Sequence, residues 1–208
     1  MTRRRALMAR VKSGGGRLPA EYQEVEYLES TGRQFILTGL TIAELSSLST
    51  NWSLRFALTR FISAQIIAGV NTDEKQLPFL LDSLRLRDWC GYYTTDVQAA
   101  DLNKIYEIEQ EDGYLKFNGT STKIAKTTTS NTFFALFAKS LEDNTPEKST
   151  ISYMRLYGFS AKSSGVDKAN MIPCYRKSDN KPGLYDLVSE TFLTNSWENE
   201  FLVGPDVN

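Results

Sequence analysis

Three glutamates, Glu24, Glu26 and Glu29, form the clearest group with chemical potential in this 208-residue chain. Two carboxylates about 5–5.5 Å apart can serve as nucleophile and general acid on a glycosidic bond. A bulged strand would turn all three to one face. A solvated acidic face is the stronger reading, because exposed alternating glutamates need no special environment. Histidine is absent, which removes Ser–His and Cys–His nucleophile pairs, His-ligated zinc and imidazole proton shuttles. Cys90 and Cys174 are too few for a disulfide-dense module or a four-cysteine zinc site, and are expected as buried free thiols.

A second group is aromatic: Trp52, Trp89, Tyr92, Tyr93 and Trp197. Flat rings stack on sugar faces and leave the polar edge free for hydrogen bonds. Trp52 begins an alternating segment and belongs to a core. Tyr92 and Tyr93 are adjacent, so on a strand one of them must face outward. Trp197 lies in a polar stretch and is the leading exposed candidate. Trp89, Tyr92, Tyr93 and Trp197 are therefore the candidate ligand-binding residues, with packing or a subunit interface as the competing reading. The carboxylates Asp73, Asp82, Asp96 and Asp101 fall in no Asp-x-Asp-x-Asp loop, so no metal is assigned and no cofactor is expected.

A third group is cationic. Arg3, Arg4, Arg5, Arg10, Lys12 and Arg17 give residues 1–17 a charge of +6 with no acid, whereas the remainder holds 18 basic and 25 acidic side chains, a balance of −7. The acidic body is a poor partner for nucleic acid, because a polyanion needs a basic face to release counterions. Ala6-Leu7-Met8-Ala9 is too short for the apolar region of a secretory signal. The segment 1–17 is therefore expected to be a flexible basic arm ending in Gly14-Gly15-Gly16. Arg3, Arg4, Arg5, Arg10 and Lys12 are its candidate docking residues.

The elements that must position these groups are strands. Alternation marks 22–27, 34–37 and 52–58, and apolar runs mark 64–70, 79–87 and 132–138 as central strands. Lys104 to Gln110, Asp112-Gly113 and Tyr114 to Phe117 read as a tight hairpin with positive φ at both turn residues. Asn118-Gly119 turns the chain again into 122–125, completing a meander. Ile151 to Phe159 is a further strand, with Tyr153, Arg155 and Tyr157 on one face and Met154, Leu156 and Gly158 on the other. A short helix is expected over 43–48 and a loop over 161–169. With 41% apolar and 12% aromatic residues, the chain can fill a core. No apolar run reaches the length of a membrane-spanning helix. The whole reads as one antiparallel two-sheet sandwich over 18–208, without βαβ alternation.

Two end segments carry a resemblance. Leu18-Pro19-Ala20-Glu21-Tyr22-Gln23-Glu24-Val25-Glu26-Tyr27-Leu28-Glu29-Ser30-Thr31-Gly32 is similar to the opening of a family of phage tail and prophage structural proteins. The close of that family resembles Ile172-Pro173-Cys174-Tyr175-Arg176-Lys177-Ser178-Asp179, then Gly183-Leu184-Tyr185-Asp186-Leu187-Val188 and Phe192-Leu193-Thr194-Asn195-Ser196. The insertion Trp197-Glu198-Asn199-Glu200 departs from its usual small, Gly-rich ending. The resemblance implies an all-β jelly-roll of the concanavalin A-like, laminin G-like kind, with N- and C-terminal strands side by side. Across the second segment Arg176 and Asp186 could pair. Glu24-Val25-Glu26-Tyr27-Leu28-Glu29 also resembles the E-x-D-x-x-E signature of laminarinase-like glycoside hydrolases, with Glu in place of the middle Asp and a position in the first strand instead of mid-chain.

The expectation from these residues and from the resemblance is a non-enzymatic tail or virion module, made in the bacterial cytoplasm and displaying a glycan- or host-surface-binding sandwich. Its partners would be other virion proteins, copies of itself in the particle and a host glycan, with no nucleic acid and no membrane insertion. A ligand-free assembly protein and a laminarinase-like hydrolase are the alternatives.

Overall fold

The computed structural model describes residues 17–62, 65–71, 76–82, 85–88, 97–98, 101–117, 120–123, 130–147 and 152–208. The basic residues Arg3, Arg4, Arg5, Arg10 and Lys12, and the candidates Trp89, Tyr92 and Tyr93, lie outside this set, as do Cys90, Asp73 and Asp96.

Strands dominate. In chain order they are β1 (Tyr22–Glu24), β2 (Leu28–Thr31), β3 (Ile36–Thr41), β4 (Thr50–Leu58), β5 (Gln65–Asn71), β6 (Gln76–Asp82), β7 (Arg85–Asp88), β8 (Val97–Gln98) and β9 (Ile105–Glu111). There follow β10 (Tyr114–Phe117), β11 (Thr120–Lys123), β12 (Phe133–Leu136), β13 (Lys139–Ser140), β14 (Tyr153–Ser163), β15 (Val166–Arg176), β16 (Lys181–Asp186), β17 (Thr191–Thr194) and β18 (Leu202–Val203). The one helix among the described residues, α1 (Ile42–Leu45), is a single turn. Thr41 and Glu44 close a capping box at its start, which satisfies backbone donors that a helix end leaves unpaired.

The strands form two sheets. The larger runs β11-β10-β9-β4-β14-β15-β16-β17, with β1, β2 and β18 attached; the smaller runs β3-β12-β5-β6-β7-β8, with β13 attached. All pairings between named strands are antiparallel except that of β13 with β5. The core lies between the sheets. Trp52, Leu54, Phe56, Leu156 and Phe159 of the larger sheet share one buried cluster with Ile36, Ile67, Val70, Phe134 and Leu136 of the smaller. Phe134 stacks on Phe159 at 6.0 Å across the gap. This is the antiparallel two-sheet sandwich that the alternation required, in the jelly-roll form that the resemblance implied.

Several local readings hold for visible physical reasons. Asp112 and Gly113 adopt φ of 50° and 77°, the pair of positive values a type I′ turn demands. Trp52 is core, and its indole N–H donates to Gln110 Oε1 at 3.0 Å. The Gln110 carboxamide in turn donates to the carbonyls of Leu45, Ser47 and Thr50. Cys174 is a buried free thiol. The two end segments meet, since β1 pairs with β15 and β18 with β2.

Others are corrected. Residues 79–87 are not one strand: β6 and β7 pair with each other as a hairpin. The expected loop at 161–169 is the end of the β14–β15 hairpin, turned at Ser164 and Gly165 with φ of 48° and 80°. Polar residues there sit on an open sheet face, so polarity did not mean loop. Arg176 does not reach Asp186. It pairs with Asp179 at 2.7 Å, while the buried Asp186 carboxylate accepts from the backbone of Asn170, Val188 and Ser189.

Candidate functional site

The larger sheet forks, and the fork makes the site. The first half of β14, Tyr153 to Leu156, pairs with β2, whereas its second half, from Phe159, pairs with β15. The register against β4 slips by one residue between Leu156 and Gly158. A bulge of this kind bends a strand and re-aims its side chains. It keeps Tyr153, Arg155 and Tyr157 on the outer face as expected, but brings Phe159 inward instead of Gly158. Beyond Met171, β15 leaves β14 and takes β1 and β16 as neighbours.

A depression of about 530 Å³ opens at this divergence, walled by Arg17, Glu24, Glu26, Arg55, Tyr157 and Asn170 over a floor that includes Gly158 and Ile172. A second, of about 550 Å³, continues along the same outer face past Asn51, Glu109, Glu111, Lys162 and Asp167. Ser53, Ser160 and Asn170 line both, so the two form one groove. Its walls are the outward positions of β4, β9, β14 and β15, alternating with the core residues named above.

Local contacts fix several of these side chains. Arg17 is ion-paired to Glu24. The Ser53 and Ser160 hydroxyls are 3.1 Å apart across β4 and β14. Lys162 pairs with Asp167 at 3.2 Å, and Lys116 pairs with Glu111. Tyr157 meets Tyr27 edge to face at 5.6 Å, and the Arg155 guanidinium lies 4.6 Å over Tyr27. Burial pushes the Tyr157 phenol above its ordinary pKa; the Arg155 charge opposes this without cancelling it. The Tyr157 hydroxyl therefore keeps its proton to higher pH than an ordinary phenol.

The three glutamates separate. Glu24 and Glu26 line the fork, whereas Glu29 is held by Arg155 Nε at 2.7 Å on the neighbouring strand pair. Only the first two share a wall, so the three-carboxylate arrangement is absent. Trp197 is not an exposed platform. It packs partly buried against the cluster of Phe35, Ala135 and Ala138. The cause is Asn195, whose Oδ1 accepts from the backbone N–H of both Phe35 and Trp197 and folds the 195–198 turn onto the sheet edge. Among the described residues no three His, Cys, Asp or Glu side chains are grouped to hold a metal, and no helix is long and apolar enough to cross a membrane. Arg55, Asn170, Ser53 and Ser160 went unremarked in the sequence. The alternation of 52–58 was the only signal that could have found Ser53 and Arg55, by placing them opposite Trp52.

No family model matches the chain, and no curated protein matches it significantly. Three chains of solved structures show similarity, two alginate lyases among them. One is the alginate lyase AlgAT5 from polysaccharide lyase family 7, at 10% identity and TM-score 0.38, over 65% of this chain and 62% of that one. The other is an alginate lyase from Corynebacterium sp., at 13% identity and TM-score 0.35, over 65% and 61%. The chain thus matches less than two thirds of either enzyme's length.

The expectation of a non-enzymatic phage tail or virion module is corrected by this comparison: both structures are alginate lyases, which are enzymes. The fold shows where that expectation was weak. Its end motifs are a packing seam between terminal strands, which specifies architecture and not a role, and Trp197, its best display residue, is packed against the sheet.

Proposed function

We propose that this chain is a carbohydrate-processing β-sandwich that holds an extended glycan in the groove on the outer face of the larger sheet. The observation that carries this reading is the groove itself: two joined depressions, about 530 and 550 Å³, that share Ser53, Ser160 and Asn170. Each has the volume of an ordinary small-ligand site, and together they suit a linear chain better than a compact metabolite. The lining is rich in hydroxyl, carboxamide and guanidinium groups. These match sugar hydroxyls and ring oxygens, which both donate and accept.

Within the fork, Tyr157 presents the phenol O–H that a glycosidic oxygen would meet. Asn170 and Ser160 would orient the chain at the junction of the two depressions. The test is incubation with a panel of neutral, amino-sugar and uronate polysaccharides, reading both binding and release of new chain ends. Asn170→Ala is expected to weaken binding about fivefold or more, the scale of a lost interfacial contact of about 1 kcal/mol. Tyr157→Phe is expected to reduce release more than binding. Absence of binding and release across the panel would overturn the reading, as would release that survives both substitutions.

A further inference from the structure

Tyr157 stands outside every strand pairing. Its pairing with β2 ends at Leu156, the pairing with β15 begins at Phe159, and the register against β4 skips it. A bulged residue of this kind is not aimed by the ladder, so side-chain contacts must aim it. Three neighbours supply them. In the β2–β14 register Glu29 faces Arg155 and Leu28 faces Leu156, and one step beyond, Tyr27 stands opposite Tyr157. Alternation puts Glu29, Arg155, Tyr27 and Tyr157 on one face as two consecutive cross-strand pairs. Glu29 accepts from Arg155 Nε at 2.7 Å, in a pair whose side chains are only 18% and 29% exposed. That bond sets the guanidinium, whose centre lies 4.6 Å over the Tyr27 ring, and Tyr27 meets Tyr157 edge to face at 5.6 Å. Gly204 packs against the Tyr27 ring. Its N–H donates to the Tyr27 carbonyl at 2.9 Å, and a Cβ there would meet the ring at 2.8 Å.

We propose that Arg155, set by Glu29, is a positioning residue that holds Tyr157 against Tyr27 and keeps its hydroxyl at the wall of the first depression; this rests on the reading of Tyr157 given above. Of the four side chains only Tyr157 lines the groove, so Arg155 and Glu29 act on a glycan through it. An arginine suits the task. Its flat fork takes a carboxylate at one edge and covers an aromatic face with its plane, which a lysine ammonium does not. The charge also reaches the phenol: burial raises the Tyr157 pKa most, Arg155 lowers it, and Tyr27 and Glu26 add smaller upward pushes. Misplacing a reacting group by about 1 Å costs on the order of a hundredfold in rate.

The experiment takes two readouts on the full chain. The first is release of new chain ends from soluble oligomers of β-1,4-linked glucose, glucosamine and uronate, resolved into kcat and KM. On the oligomer that wild type cleaves, Arg155→Met is expected to lower kcat about tenfold or more and to change KM less than about threefold. Arg155→Lys is the milder change for folding, since it keeps a charge beside Glu29; it should still lose kcat for want of the flat face. In the Tyr157→Phe background Arg155→Met should cost nothing more, because the group it positions is gone. The second readout needs no substrate: ultraviolet titration of the Tyr157 phenol, each chain referenced to its own Tyr157→Phe form. Arg155→Met should move the midpoint upward, and Arg155→Lys should move it less. Wild-type kcat in both Arg155 variants would overturn the inference and leave the glycan reading standing. So would losses that simply add to that of Tyr157→Phe, or a phenol midpoint unmoved by Arg155→Met. Release from none of the oligomers by wild type would instead overturn the glycan reading, with the titration still deciding whether Arg155 holds Tyr157.

Discussion

The β9–β11 meander and the fork of β1, β2, β14 and β15 belong to one sheet and are specified in opposite ways. In the meander each strand pairs with its sequence neighbour through a short turn, as Tyr114 does with Glu111 and Phe117 with Thr120. In the fork, Glu24 pairs with Cys174, and Leu28 with both Leu156 and Val203. Local turn chemistry can set the first. The second forms only after remote segments meet, at the cost of closing long loops. The first depression of the groove sits at the fork, so its geometry depends on the part of the sheet with the fewest local instructions, whereas the second borders β9 of the meander.

Substitutions can break this contrast. The largest effect is expected at Gly183, which continues a row of paired residues from Glu24 through Cys174 to Thr194 across four strands. A Cβ there would meet the Phe192 ring at 2.7 Å and the Leu193 carbonyl. Because backbone closes the space, Gly183→Val should destabilise by about 3 kcal/mol, the upper range for overpacking. Chemical denaturation measures this, and a loss below about 1 kcal/mol would show that the fork tolerates local rearrangement.

In the meander, Gly113→Val forces a β-branched residue to a φ of 77°, but the nearest obstruction is the mobile end of the exposed Leu48 side chain at 3.2 Å. The expected loss is about 1–2 kcal/mol, the strain of one unfavourable backbone conformation. A cost equal to that at Gly183 would erase the difference between the two regions.

The smallest effect at neutral pH concerns Cys174 beside the fork. Burial pushes its thiol up to about 12. The folded state therefore holds this proton more tightly than the unfolded chain, where a thiol titrates near its ordinary value of about 8.5–9. The stabilising contribution is complete below that ordinary value and is lost as pH rises toward about 12. Tyr157 and Tyr185, also shifted upward by burial, add alkaline sensitivity of the same sign. Denaturation midpoints measured across the alkaline range should fall more steeply for wild type than for Cys174→Ala, and identical slopes would reject the assignment.

What was legible in the sequence follows the same division. Asp112-Gly113 announced its hairpin because turn geometry is a property of adjacent residues. The alternation of 52–58 marked β4 because burial on one face has period two. The fork left no such trace. It arises where β14 changes partner between Leu156 and Phe159, and no spacing along the chain encodes that exchange. Trp197 was misread because its polar neighbours signal exposure, while the Asn195 bridge that folds it inward involves Phe35, 160 residues away.

Residues 17 and 207 give the groove one further property. Arg17 and Val207 line the same depression, and the Val207 N–H donates to the Glu24 carbonyl at 3.0 Å. The opposite end of the groove lies near the exposed Ser164-Gly165 turn between β14 and β15. Two positions this close, 17 and 207, can be joined by a short linker when residues 1–16 are removed, and an exposed turn tolerates being opened. The sandwich of residues 17–208 is therefore suited to circular permutation, with 17 joined to the 207 end and new ends cut at 164–165. In the permuted chain β15 would come first and β14 last, so the two strands whose parting makes the groove would no longer be consecutive.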